Sequence, residues 1–121
     1  MRITVHENRK SESWDEIADL LRKRGYTPAE DTDDLCAYLS LKTGIDTPEE
    51  VTIIARYYED GAELATEVVA GSYGTSDNDL YSTFLASEER GVDVKRAEQC
   101  LRSAEKAAGL YVRALQEIKN G

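Results

Sequence analysis

This chain of 121 residues is poor in the residues that small proteins use as covalent staples or as catalysts. It has two Cys, two Pro, one Phe and one His. Two cysteines cannot build a disulfide framework or complete a zinc site, and His6 alone supports no Ser-His-acid or Cys-His arrangement. We therefore expect a protein that is not an enzyme and that has no metal and no cofactor.

Long hydrophobic runs are also missing. No run approaches the roughly 18 apolar residues of a membrane span, and no signal peptide opens the sequence. We expect a cytoplasmic protein that does not contact membranes. Because 40% of the residues are hydrophobic, the chain can bury a core, and its length suits one domain over 1–121.

Charge is abundant and unevenly distributed. Residues 1–30 are neutral overall, whereas residues 31–89 carry 14 acidic residues against only Lys42 and Arg56. Residues 90–121 are mildly basic, and the whole chain has a net charge of −9. Such a middle segment should repel nucleic acid and attract a basic protein surface.

Two segments carry strong helix signals. Ser13 and Glu16 form a capping box, and Gly25 would end the helix that begins there. The last helix, about 93–119, has apolar residues at alternating spacings of three and four, which is a heptad seam. The seam comprises Val94, Ala97, Leu101, Ala104, Ala108, Tyr111, Leu115 and Ile118.

Apolar spacing predicts three more helices in the middle of the chain, over about 32–43, 47–70 and 77–90. Thr47 and Pro48 supply a complete start signal for the second of them. The sequence therefore predicts a mainly α fold, a compact bundle of about five helices. Alternating residues over 2–7 add a short N-terminal strand, which would need a partner strand.

A β-hairpin over 51–70 is the alternative for the longest middle segment. Residues 51–58 are rich in β-branched and aromatic side chains, and Asp60-Gly61 is a hairpin-turn dipeptide. If this hairpin forms, the fold class becomes α+β.

Some acidic residues of the middle segment lack a role in capping helices. On the helical interpretation Glu59, Glu63 and Glu67 are i,i+4 neighbours, and each like-charged pair costs about 0.2–0.5 kcal/mol. Either these residues are solvated or paired with Lys95, Arg96 or Arg102, or they form a face that binds external cations. The candidate partner-binding residues are Glu59, Asp60, Glu63, Glu67, Asp33, Asp34, Glu88 and Glu89.

These patterns predict an acidic interaction protein that binds a basic surface of another protein. The natural target is a nuclease or another nucleic-acid-binding protein, inhibited by DNA mimicry. Small acidic proteins that block restriction or CRISPR nucleases offer an analogy in size and charge only, since no family motif is present.

A self-associating structural or assembly subunit is the alternative function. It would form a homodimer through the seam, with Val94, Leu101, Tyr111, Leu115 and Ile118 as the candidate contacts. The same seam could instead pack within one chain. Cys36 and Cys100 are expected to be reduced, and their spacing along the chain does not show whether they approach each other.

Overall fold

The protein has an α+β fold, so the predicted bundle of about five helices is wrong. A computed structural model describes residues 12–29, 34–43, 49–72 and 81–120, in which two helices accompany a five-stranded antiparallel sheet. The helices are α1 (Glu12–Lys23) and α2 (Val94–Asn120). The strands, in chain order and in spatial order, are β1 (Thr27–Pro28), β2 (Leu35–Lys42), β3 (Glu49–Tyr58), β4 (Glu63–Ser72) and β5 (Tyr81–Glu89).

The first predicted helix is confirmed as α1, but the predicted cap is wrong, because the helix begins at Glu12 and Ser13 lies inside it. It buries Ile17 and Leu21, and it ends where Gly25 adopts a φ of +89°. The Gly25 N–H donates to Arg22 O at 3.0 Å, and the Tyr26 N–H donates to Leu21 O at 2.9 Å. This pair of hydrogen bonds is the Schellman motif that the glycine predicted.

The middle helices are wrong, because β2, β3, β4 and β5 occupy much of the chain assigned to them. In β2, the residues Leu35, Ala37, Leu39 and Leu41 alternate with a period of two and pack against the core. Their period is that of a strand, and the helical spacing seen over 32–43 was coincidental. The start signal at 47–48 lies outside the described residues, and Glu49 opens β3 instead of a helix.

The alternative hairpin over 51–70 is confirmed. β3 and β4 pair from Glu49↔Ser72 to Tyr58↔Glu63, and the turn between them contains the predicted Asp60-Gly61 dipeptide. Gly61 has a φ of +79°, which an L side chain rarely adopts. Side-chain packing across this hairpin stabilises the strands by more than the roughly 1 kcal/mol that the cap predicted at Thr47 would contribute to a helix.

The predicted C-terminal helix is also confirmed, as α2. The Asp93 side chain caps it by accepting a hydrogen bond from the Arg96 N–H at 2.8 Å. At the far end, Gln116 Nε2 donates to Thr43 O at 2.7 Å and ties the helix to the end of β2. Between these points α2 contacts β2, β3 and β4.

Both helices cover the same face of the sheet. The core between them joins residues of α1, α2 and the alternating inward residues of the strands, including Ile17, Leu101, Ile53, Tyr57 and Val68. We call this the helix-covered face, and we call the other side, which neither helix of the described residues covers, the open face. The predicted strand over 2–7 lies outside the described residues.

Candidate functional site

Strand register brings three of the predicted acidic residues together on the open face. Glu63 and Glu67 flank Ala65 along β4, and Glu88 of β5 lies directly opposite Ala65. Because residues two apart in a strand point to the same side, all three project from one face. Diagonal neighbours in adjacent strands are about 7–8 Å apart, so Glu88 is within that distance of both other glutamates.

Glu59 and Asp60 extend this cluster. Both are exposed in the turn between β3 and β4, next to the first residue of β4. The turn is held by the segment after β5, since the Gly91 N–H donates to Gly61 O at 3.0 Å and the Val92 N–H donates to Ala62 O at 3.0 Å. We call the five residues Glu59, Asp60, Glu63, Glu67 and Glu88 the acidic corner.

Two arginines partly offset the acidic corner. Arg90 Nε lies 3.4 Å from Glu63 Oε1, but its side chain is 83% exposed, so the pair is weak. Arg56 of β3 lies directly opposite Ala65, on the other side from Glu88. A hydrogen bond with Tyr58, and then the charges of Cys36, Tyr58 and Glu67, raise the pKa of Arg56, which therefore stays cationic.

Glu89 does not belong to the acidic corner. It follows Glu88 in the same strand and therefore points to the helix-covered side, where Arg96 Nε approaches its Oε2 at 3.2 Å. The Cys100 thiol donates to the same oxygen at 2.8 Å. The hydrogen bonds from Arg96 and Cys100 hold the pKa of Glu89 below its usual value, and burial followed by Glu89 raises the pKa of Cys100 to about 11.

Asp33 and Asp34 are the other two acidic candidates. Asp34 is exposed and precedes β2, at the end of the sheet where the β3–β4 turn lies. Asp33 lies outside the described residues. Arg96 and Arg102 were two of the bases predicted to pair with Glu59, Glu63 and Glu67. They approach Glu89 and Glu98 instead.

Sequence reasoning identified Arg56 as one of two bases in the acidic middle segment, but it missed the contact of Arg90 with Glu63 and the apolar surface beside Arg56. A groove of about 530 Å³ lies on the open face along β2 and β3 and reaches Arg56. Tyr38 and Ile54 are paired across these strands, and Tyr38 is 42% exposed. The alternation of residues in β3 could have placed Ile54 and Arg56 on one face, but only strand order places them beside the acidic corner.

The predicted seam residues of α2 fall into two groups. Leu101 is 0% exposed and packs against the sheet, so it is available to a second chain only if α2 moves away. Val94, Tyr111 and Leu115 are partly buried against the same core. The side chain of Ile118 lies outside the described residues, and self-association through the seam stays a prediction.

The two cysteines are free thiols on different sides of the molecule. Cys36 faces the open side of β2, opposite Arg56, whereas Cys100 lies on α2 above the other face. Within the described parts of the chain, no three His, Cys, Asp or Glu side chains are grouped so as to hold a metal ion.

No family model, curated protein or solved structure matches this chain. None of the helices in the described residues has the length and apolar character needed to cross a membrane.

Proposed function

We propose that this protein is a non-enzymatic interaction protein whose acidic corner binds a basic surface of another protein. The observation that supports this proposal best is the position of Glu63, Glu67 and Glu88 around Ala65, where three carboxylates face only Arg56 and the exposed Arg90 within the described residues. Like charges at this spacing repel one another. Cations from a partner would relieve that repulsion.

The surface beside the acidic corner supplies the apolar contact that a protein interface needs. Stable interfaces usually combine a buried aromatic anchor with a polar rim. Tyr38 is exposed and pairs with the partly buried Ile54, and Glu67 of the acidic corner lies directly opposite Ile54 on the same face. A partner would place apolar side chains on this pair and its lysines or arginines on the carboxylates.

A nucleic-acid-binding protein, such as a nuclease, is the partner class that we favour. Such proteins expose basic grooves that neutralise closely spaced phosphates. The acidic corner presents closely spaced negative charge at one end of the sheet, so it would occupy a groove of this kind and exclude the nucleic acid. Direct binding of nucleic acid by this chain is disfavoured by its net charge of −9.

A matched pair of triple variants tests the proposal. One combines Glu63→Gln, Glu67→Gln and Glu88→Gln on the open face, and the other combines Asp15→Asn, Glu16→Gln and Glu117→Gln, which are exposed on α1 and α2. Both remove three negative charges. We expect the first to weaken a salt-sensitive complex captured from host lysate by about ten- to a hundredfold and the second to leave it unchanged.

Duplex DNA provides the second arm of this test. If the partner uses the same basic groove for nucleic acid, excess DNA should displace it from the immobilised protein. Equal binding by both triple variants, measured by calorimetry with the purified partner, would refute the role of the acidic corner. Binding that persists in saturating DNA would refute DNA mimicry while leaving the acidic interface standing.

A further inference from the structure

α2 crosses the helix-covered face diagonally. Near its start, Arg96 and Cys100 contact Glu89 at the end of β5. Near its other end, Gln116 binds the carbonyl of Thr43, which follows β2 at the opposite end of the sheet. α2 packs on β2, β3 and β4, and α1 contacts β1 and β2. In the described parts of the chain, the helix side of β5 is therefore left largely uncovered.

A groove of about 430 Å³ occupies the space between α2 and β5. Leu85 and Ser87 line it from β5, and Gln99 and Ser103 line it from α2. All four residues are exposed, Leu85 by 39%. Leu110, which is 56% exposed, lies seven residues after Ser103 and therefore on the same side of α2. Two large apolar side chains thus face solvent beside one uncharged stretch of strand.

The shape of this region suits a helix better than a strand. The pairing of β5 with β4 contains a bulge at Val68/Val69, and Glu89 points inward, which are two devices that protect a sheet edge from a further strand. A helix requires no backbone hydrogen bonds from the sheet. Neighbouring helices lie 8–10 Å apart, which is about two strand spacings, so a helix beside α2 would lie over β5.

The side of α2 next to this groove is basic. From Gln99 to Arg113, α2 contains three exposed bases and a single acid. That acid, Glu105, binds Arg24 on the side of α1. Lys106 and Arg113 lie seven and fourteen residues after Gln99, so they share its side of the helix. Carboxylates on an incoming helix would face these two bases.

We infer that the groove binds an acidic amphipathic helix of another protein, with apolar side chains on Leu85 and Leu110 and carboxylates facing Lys106 and Arg113. The matching length is about four turns, because the basic stretch of α2 rises roughly 21 Å and ends before Glu117. Apolar burial in a groove supplies affinity in complexes of this kind, and the charge pattern sets the orientation and the choice of partner.

A second copy of this chain is a poor occupant. Its α2 would bring the same bases against Lys106, and its α1 buries its apolar residues Ile17 and Leu21 in its own core. The net charge of −9 does not prevent an acidic partner from binding, because the acidic corner lies on the open face. The Debye length at physiological salt is about 8 Å, so charges on the far side of the sheet are largely screened.

The inference is independent of the proposed function. The groove lies on the helix-covered side and takes an anionic partner, whereas the acidic corner lies on the open face and takes a cationic one. Neither interaction requires the other, so each can fail while the other stands.

Fluorescence anisotropy with two labelled synthetic peptides tests the inference on the full chain. Both are amphipathic sequences of about 18 residues with leucines at helical spacing, and their polar flank carries glutamates in one and glutamines in the other. We expect the glutamate peptide to bind at least about tenfold more tightly, and its affinity to fall as salt rises.

Two double variants with the same change in net charge locate the contact. One combines Lys106→Glu with Arg113→Glu, and the other combines Arg22→Glu with Lys23→Glu, at exposed positions of α1. We expect the first to weaken binding of the glutamate peptide at least about tenfold and the second to leave it nearly unchanged. Circular dichroism checks that both variants stay folded.

Amide chemical shifts give a second readout that needs no variant. The glutamate peptide should shift the amides of Leu85, Ser87 and the basic stretch of α2 and leave those of the acidic corner in place. The inference is overturned if neither peptide binds, if the two bind equally, or if both double variants lose affinity alike. Shifts confined to the open face overturn it as well.

Discussion

The two faces of the sheet differ in burial and in charge. On the helix-covered face, Val51, Ile53 and Ala55 of β3 are 0% exposed under the two helices. On the open face, the intervening positions of β3 and β4 include Arg56, Glu63 and Glu67. Because side chains alternate along a strand, changes on one face should leave the other nearly unaffected.

The largest expected effect is the loss of packing under α2. Leu101→Ala removes a side chain that is 0% exposed and leaves a cavity, so unfolding free energy should fall by about 2–5 kcal/mol. Tyr38→Ala on the open face should cost less than about 1 kcal/mol, because Tyr38 is 42% exposed. Urea denaturation of both variants measures the difference, and equal losses would contradict the separation of the faces.

A smaller loss of unfolding free energy is expected when the ionic contact between Arg24, which follows α1, and Glu105 of α2 is removed. Arg24 Nε and Nη2 donate to the two carboxylate oxygens of Glu105 at 2.9 and 2.6 Å. Glu105→Gln should cost about 1–3 kcal/mol, since it leaves the largely buried Arg24 guanidinium with Glu98, 3.5 Å away, as its remaining carboxylate partner. Asp19→Asn breaks only an exposed pair with Arg22 and should cost under about 1 kcal/mol in the same denaturation experiment.

Alkaline pH should destabilise the helix-covered side through Tyr26. Burial, and then Glu105, whose Oε2 accepts a hydrogen bond from Tyr26 OH at 3.1 Å, raise the pKa of this phenol above its usual 10.0. The folded state holds the proton more tightly, so the stabilisation is complete below pH 10 and is lost as pH rises further. The midpoint of urea unfolding should fall over that range, and a Tyr26→Phe variant with the same pH slope would refute this assignment.

The smallest effect concerns two adjacent glutamates on opposite faces. Glu89 is one cause of the raised pKa of Cys100, so Glu89→Gln should lower that pKa and speed alkylation of the thiol. Glu88→Gln, on the open face, should leave the rate unchanged. Both are compared in a Cys36→Ser background by mass spectrometry at mildly alkaline pH, and equal rates would show that Glu89 does not act on the thiol.

Local signals predicted the parts of the fold that depend on local interactions. Gly25 ends α1, Asp60-Gly61 turns the β3–β4 hairpin, and α2 spans nearly the range that its seam predicted. The middle helices failed because sheet formation depends on partners distant in sequence. β5 is an example, because Leu85 pairs with Val68 and no pattern within 77–90 predicts that contact.

The acidic corner was predicted in part for a reason that differs from the real one. Glu63 and Glu67 were grouped by helical i,i+4 spacing, yet a spacing of four is also even, so a strand places them on one face as well. Glu59, the next residue in that helical row, lies in the turn instead. Glu88 and Glu89 point to opposite faces because successive side chains alternate between the two sides of a strand, which they do not do in a helix.

The sequence by itself determined the uneven charge, the C-terminal end of α1, the extent of α2 and the tight turn, because glycines and apolar spacing act over a few neighbouring positions. Only the tertiary structure decided which carboxylates meet. Strand order and register place Glu88 beside Glu63 and Glu67, and they direct Glu89 to Arg96 and Cys100 on the other side. Cross-strand pairing joins residues far apart in the chain, and one step of register reverses the face of every side chain.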